Sequence, residues 1–280
     1  NKGIGYAVVR HLALNYASSS SYQPLTLLLT ARNPTLGQNS TNKLREELKP
    51  NILVDDGGKV DLKFLKLDIT DEQSIKEAKE VIEKDYGGLD VLINNAGIAF
   101  KGDIFDINVV RTTLGTNFYG TLNVFNTLYP LIRPNGRIIN VSSTAGKPSF
   151  LSSALRQEFS KENLDMEGLI KLMKRFENAV ETDIHLQDGW PIQAYVVSKI
   201  GVSKMTQILA RRADKEGNNV KIFACCPGWV KTDMAGDAAK LTPDQGAETP
   251  VFLALDETVV PKSPTGTFWY RKKIFEWSKL

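Results

Sequence analysis

The chain has 280 residues, 42% hydrophobic and 24% charged, with a formal net charge of +3. That length suits one large α/β domain or two small ones, and the charge is too small to point to nucleic acid or a membrane surface. No apolar run approaches the roughly 18–20 residues that span a bilayer. Two histidines, His11 and His185, without a ligand-spaced Cys/His cluster leave neither a zinc site nor a histidine-centred triad.

The sequence opens at Asn1, without a methionine, and runs through Lys2 directly into Gly3-Ile4-Gly5. A glycine turn of this kind ordinarily follows a strand, so a first strand is expected to be missing ahead of it. A helix follows from Tyr6 to Leu14. In a dinucleotide-binding fold such glycines let the backbone approach a pyrophosphate resting on the helix N-terminus. Asn1, Lys2, Gly3, Ile4 and Gly5 are therefore candidate cofactor contacts, although a two-glycine turn before a helix is more often structural. The polar stretches 18–21 and 33–41 read as surface loops. Between them, 25–29 is a continuous apolar run leading to Thr30-Ala31-Arg32, where NAD enzymes usually carry an acid for the ribose 2′-hydroxyl. Here the position is basic. A guanidinium clamps a 2′-phosphate in bidentate fashion, Lys2 adds a second charge, and NADP(H) is the expected cofactor. Two merely solvated cations are the plainer alternative.

Residues 60–69 form the next apolar run, ending in Asp68-Ile69, with Asp68 placed to meet an adenine amino group. Ile75, Ala78 and Ile82 repeat at helical spacing behind a capping Asp71. The run 89–93 follows and ends in Asn94-Asn95-Ala96-Gly97. There Asn95, Ala96 and Gly97 allow backbone contact with a cofactor, or form only a tight turn. Ile107, Val110, Leu114, Phe118, Phe125 and Leu128 mark a long helical stretch. After the run 137–141 come Ser142-Ser143, then a helical pattern in Leu164, Leu169, Leu172, Met173 and Phe176. Val197, Gly201, Met205 and Ile208 mark another helix, which Gly217 is placed to end, and 220–224 is a further strand. Near-continuous apolar strands alternating with helices imply a doubly wound parallel sheet of Rossmann type in one domain, 1–280. The only cysteines, Cys225 and Cys226, are neighbours, with Cα atoms about 3.8 Å apart against the roughly 4.4–6.8 Å of ordinary disulfides. Both read as reduced thiols. With no secretory signal opening the sequence, the expected compartment is the cytoplasm.

Tyr195 and Lys199 stand four apart on one helix face, and Ser143 adds a hydroxyl at the carboxyl end of a strand. Hydride delivery to a ketone builds negative charge on its oxygen, and a proton must arrive there. An ordinary tyrosine, with a pKa near 10, is a poor partner at neutral pH. A lysine ammonium about 5 Å away, at an effective dielectric of ~20, favours the phenolate by roughly 3 kcal/mol, or about 2 pKa units. Tyr195 is thereby expected as general acid, with Ser143 holding the carbonyl oxygen against it.

On these residues the sequence resembles the short-chain dehydrogenases/reductases, and among them the monomeric NADPH carbonyl reductases, over essentially its whole length. The resemblance implies that Asn94-Asn95-Ala96-Gly97 stabilises the sheet and that Asn117, in Thr116-Asn117-Phe118, joins Ser143, Tyr195 and Lys199 through a water relay. It further implies that Lys199 binds the nicotinamide ribose. Within 227–234, Pro227, Gly228, Val230 and Thr232 would meet the carboxamide, and Trp229 would border the substrate pocket or simply pack. The family's turn has a further glycine on its first strand, so cofactor binding by these 280 residues is expected to be weak. The 52 residues from Ser143 to Tyr195 (195 − 143) hold an insertion, about 147–191, resembling the helical insert that covers the family's oligomer surface. A monomer is expected, with no nucleic-acid or membrane partner and no metal, reducing small carbonyl compounds such as quinones, aldehydes and ketones. The alternatives are a menthone- or alkaloid-type ketone reductase and, outside catalysis, an NADP-binding regulator. A sugar-nucleotide epimerase shares the Tyr-xxx-Lys pattern but needs more than the roughly 80 residues that follow Lys199.

Overall fold

The computed structural model describes every residue except Lys49, Asp103 and 278–280. Helix α1 (Gly3–Ala17) leads into β1 (Leu25–Ala31), α2 (Pro34–Glu47), β2 (Val60–Lys66), α3 (Glu72–Tyr86) and β3 (Leu89–Asn94). Helices α4 (Ile107–Leu114) and α5 (Thr121–Leu128) are joined through a π-helical turn, Gly115–Gly120, and β4 (Ile132–Val141) follows. Then come α6 (Ser153–Ser160), α7 (Met166–Glu181), α8 (Ala194–Glu216), β5 (Lys221–Cys226), α9 (Pro243–Leu255), β6 (Phe268–Tyr270) and β7 (Lys273–Phe275).

The strands form two sheets. β1 pairs with β2 in parallel, and the other five run in the order β3-β4-β5-β6-β7. Every pair is parallel except β6 with β7, so the sheet is mixed at its far edge and not wholly parallel. Common helical layers cover both sheets. On one face Ala7, Val8 and Leu12 of α1 and Ala247, Val251 and Ala254 of α9 share a cluster with Leu29, Leu62, Ile139 and Phe223. On the other, α3 and α5 meet Leu28, Leu65 and Leu92, while α4, α7 and α8 cover Ile138, Ile222 and Ala224. Adjacent residues such as Ile138 and Ile139 enter opposite cores, which is why the strand reads as unbroken apolar sequence.

Several boundaries move. β2 stops at Lys66, leaving Asp68 and Ile69 in the turn beyond it, and β5 runs on through Cys226. The stretch 33–41 is not a loop but the first half of α2. The Asn33 side chain accepts from Leu36 N at 2.9 Å and Pro34 fills the first helical position, so these loop-like residues are a helix start. The buried face of α2 is Gly37, Thr41 and Leu44, too small and polar to show as apolar periodicity. Helix α3 is capped by Asp71 and α8 ends at Gly217 in the left-handed region, as expected. The insertion 147–191 is helical, although Leu164 precedes α7 and is outside any helix.

Candidate active site

Ser143 lies just beyond β4, in a turn closed by Gly146 N donating to Ser143 O at 3.0 Å. Its Oγ accepts from Ala145 N at 3.0 Å, which leaves the hydroxyl proton free to donate elsewhere. Tyr195 is in the first turn of α8, half-buried, with the Ser143 side chain near enough to its phenol to pull its pKa down. One turn later Lys199 is buried; its Nζ donates to Val141 O at 2.8 Å and lies 5.7 Å from the Tyr195 ring centroid. Asn117, in the π-helical turn, accepts from Ile98 N at 2.8 Å. Its Nδ2 donates to Ile98 O at 2.9 Å and to Ser198 Oγ at 3.0 Å. π-Helical turns recur at functional sites because they re-aim a single side chain. A Cβ built on Gly97 would stand 3.1 Å from Asn117 Oδ1 and 3.6 Å from Lys199 Nζ, so the end of β3 closes the same cluster. The four residues picked from sequence are together.

Buried polar residues, most of them given no role from sequence, hold this cluster together with Asn94. Ser142 Oγ donates to Lys199 O at 3.1 Å and shares a 2.7 Å hydrogen bond with Ser203. Ser198 Oγ donates to Tyr195 O at 2.7 Å. Asn94 donates to Asn140 Oδ1 at 2.8 Å, and Asn140 in turn donates to Thr206 at 2.9 Å. Their only sequence signal is a polar residue inside or beside an otherwise apolar element.

The electrostatics correct one expectation. Burial pushes the Tyr195 phenol up to about 12, against the smaller pull of the Ser143 hydrogen bond, and it pulls Lys199 down to about 8. The expected depression of Tyr195 by Lys199 is not found. Desolvation of the phenolate outweighs the Coulomb gain, and Lys199 Nζ is engaged by a backbone carbonyl rather than by the phenol.

The start of α1 meets the end of β3 and the segment after β5. A Cβ on Gly5 would fall 2.7 Å from Asn95 Nδ2, and one on Gly3 would fall 3.2 Å from Thr232, so bare backbone lies where three elements converge. The first helical amides at Gly3, Ile4 and Gly5, with the donors of Asn1 and Asn95, suit an anionic pyrophosphate. Arg32 is exposed at the end of β1. Burial raises the neighbouring Asp68 carboxyl, but bonds from the Thr70 hydroxyl and amide, with Arg32 and Lys66, outweigh it and hold the group below its ordinary value. Lys2, close to the same helix start, pairs through its Nζ with Asp233 at 2.5 Å in solvent. Gly120 brings the π-helical turn against Ile69, where a Cβ would lie 2.9 Å from the Ile69 carbonyl. Beyond β5, Pro227 and Gly228 turn the chain, and Val230 bridges to Leu241 ahead of Thr232. Trp229 is 52% exposed, which excludes simple packing. Exposed Phe100, Ile192 and Met234 also follow β3, precede Tyr195 or follow β5, giving the carboxyl edge an apolar character. Ala96 is exposed at the same edge. Among the described residues no His/Cys/Asp/Glu group has the arrangement of a metal site, and no helix is long and apolar enough to cross a membrane.

The family model described as short chain dehydrogenase matches residues 1–155. Carbonyl reductase (NADPH) 1 of Homo sapiens is 41% identical over 284 residues, covering 99% of this chain and 95% of the relative. Among solved structures, salutaridine reductase from Papaver somniferum is 25% identical with a TM-score of 0.79, over 96% of both chains. Menthone neomenthol reductase from Mentha piperita is 25% identical with a TM-score of 0.76, covering 96% of this chain and 95% of the other.

Proposed function

The chain belongs to the short-chain dehydrogenase family, and we propose that Ser143, Tyr195 and Lys199 are the groups with which it carries out NADPH-dependent reduction of carbonyl compounds to alcohols. The observation that supports this assignment is their convergence on one buried cluster at the carboxyl edge of the sheet.

NADPH, when bound, supplies the hydride that reaches the carbonyl carbon. Tyr195 gives the proton to the carbonyl oxygen. With its phenol held up to about 12, Tyr195 is in the donor form at neutral pH. Ser143 directs its free hydroxyl proton at the same oxygen, so developing negative charge meets two preset donors. Lys199, at about 8, is still mainly an ammonium at neutral pH and stabilises the phenolate that proton transfer leaves behind. Asn117 is a positioning residue: its amide ties Ile98, at the end of β3, to Ser198 on α8.

The residues at the start of α1 and the carboxyl edge of the sheet fit the cofactor. Asn1, Gly3, Ile4, Gly5 and Asn95 would hold the pyrophosphate, and Ala96 and Gly97 would offer open backbone beside it. Arg32 would hold the 2′-phosphate, with Asp68 and Ile69 at the adenine end. Lys199, Pro227, Gly228, Val230 and Thr232 would hold the nicotinamide end. Trp229 borders the substrate. The apolar edge suits quinones, aldehydes and reactive ketones. The insertion covers α4 and α8, and the protein acts as a monomer.

The test is NADPH consumption with a panel of quinones, aldehydes and ketones. Tyr195→Phe is expected to lower turnover by about 10²–10⁴-fold while fluorescence titration still shows NADPH binding. Near-normal turnover of that variant refutes the assignment.

A further inference from the structure

We propose that Trp277, close to the end of the chain, is a positioning residue for Ser143; this rests on the reading of Ser143 given above. β7 is exposed along its whole length, yet two residues later Trp277 is buried and joins the core cluster of α8 and the insertion. Its indole Nε1 donates to Gly146 O at 2.9 Å, and the pair is buried. Gly146 closes the turn that carries Ser143, through Gly146 N to Ser143 O at 3.0 Å. On its other side that turn is pressed against the catalytic helix. A Cβ on Gly146 would lie 2.7 Å from Lys199 C and 2.8 Å from Lys199 Cβ. The Ser143 turn is thus gripped between Lys199 and Trp277.

The consequence is one of geometry. A buried carbonyl that loses its donor is left unpaired and turns to find another. Rotation of the Gly146–Lys147 peptide changes the backbone at Gly146, and through it shifts the Ala145–Gly146 peptide whose N–H closes the turn on Ser143 O, and with that the hydroxyl that must meet the carbonyl oxygen. Misplacement by about 1 Å costs up to roughly 10²-fold in rate. Trp277 hydrogen-bonds the turn and not Ser143 or Tyr195, so it acts through the placement of that turn, and the cycle with Ser143 separates this path from one through Lys199.

Trp277→Phe keeps an aromatic ring while removing the donor and part of the buried volume, and the cycle below separates these two effects. It is expected to lower kcat about tenfold while the KM for NADPH changes by less than about twofold and Tm falls by no more than about 4 °C. The deciding measurement is a double-mutant cycle with Ser143→Ala. Once Ser143 is gone, Trp277→Phe should cost nothing further in kcat. The same tenfold loss in both backgrounds overturns the proposal and leaves the role of Ser143 intact. Near-normal kcat of Trp277→Phe in the wild-type background also overturns it. Near-normal turnover of Ser143→Ala removes the reading of Ser143 and this proposal together. Trp277→His, which retains a ring N–H, carries the same cycle where Trp277→Phe does not fold, and it is expected to keep more of kcat than Trp277→Phe does.

Discussion

Tyr195 and Lys199 stand one helical turn apart, and burial moves them in opposite directions, the phenol to about 12 and the ammonium to about 8. Each shift favours the neutral form, as loss of water demands when no counter-charge is within contact. A Coulomb argument from spacing alone misses this because it assigns a distance but no solvent. Arg32 is the contrasting case: an exposed cation with no ion pair among the described residues and only Asp68 and other charges at longer range. A charge-assisted bond to a 2′-phosphate is worth about 1.5–3 kcal/mol. Arg32→Ala is therefore expected to raise the KM for NADPH about ten- to a hundredfold and to leave that for NADH nearly unchanged. Equal losses with both cofactors would remove Arg32 from the site. Tyr195, Lys199 and Ser143 were legible in the sequence because each is a reactive type at a fixed offset from a strand end or a helix turn, whereas Asn117 came only with the family resemblance. The Lys2–Asp233 pair was not, since its partners are 231 positions apart and no local pattern links them. Nor were Ser142, Ser198 and Asn140, whose work is to satisfy backbone and one another inside the core.

The helices most visible in the sequence are those whose buried face is aliphatic. In α7, Leu169, Leu172, Met173, Phe176 and Ala179 are buried and spaced by three or four. α2 escaped for the opposite reason, its buried face being glycine, threonine and a single leucine. β6 and β7, three residues each, are too short to carry a period. α7 also decides what the outer surface of α8 can do. Met173 and Phe176 share one core with Phe118 of the π-helical turn and with Val197 and Met205 of α8. Phe176 packs on Trp190 at 5.2 Å between ring centroids, and Trp190 Nε1 donates to Asp188 at 2.8 Å, pinning the end of the insertion beside the start of α8. A helix face already filled by its own chain has no apolar area left to bury against a second copy. Size-exclusion chromatography with light scattering is expected to give the mass of one chain, 31.1 kDa; a dimer or tetramer mass would show that the covered face is not the one used for assembly.

At the scale of the whole molecule, the cost of the site is two lysines inside one helix. Lys199 and Lys204 are both buried in α8, and burial, joined for Lys204 by the charge on Arg211, brings each down to about 8. A base with a depressed pKa in the folded state opposes folding while it must be charged. The penalty is full below about pH 8, where both states hold the proton, and fades between about pH 8 and the unfolded value of 10.5, where the folded protein holds fewer protons than the unfolded chain. For Lys199 that is worth about 1 kcal/mol between about pH 7 and 9. Groups with the opposite sign enter later. Burial pushes the Cys225 thiol above its ordinary 9.0, and Tyr195, Tyr6 and Tyr129 up to about 12, so these lose stability for the fold only once the unfolded chain ionises, from about pH 9 or 10 upward. The carboxyls that titrate low, such as Asp188 and Asp244, are silent throughout this window. The urea midpoint is therefore expected to rise from pH 7 to pH 9 and to turn over above about pH 10. Lys204 has no hydrogen bond or ion pair among the described residues, so Lys204→Met removes part of the penalty without breaking a contact. It should raise the midpoint at pH 7 and shallow the rise towards pH 9, with turnover retained. A midpoint flat from pH 7 to 9 in the wild type would mean that both lysines reach water and that burial in α8 does not set their charge.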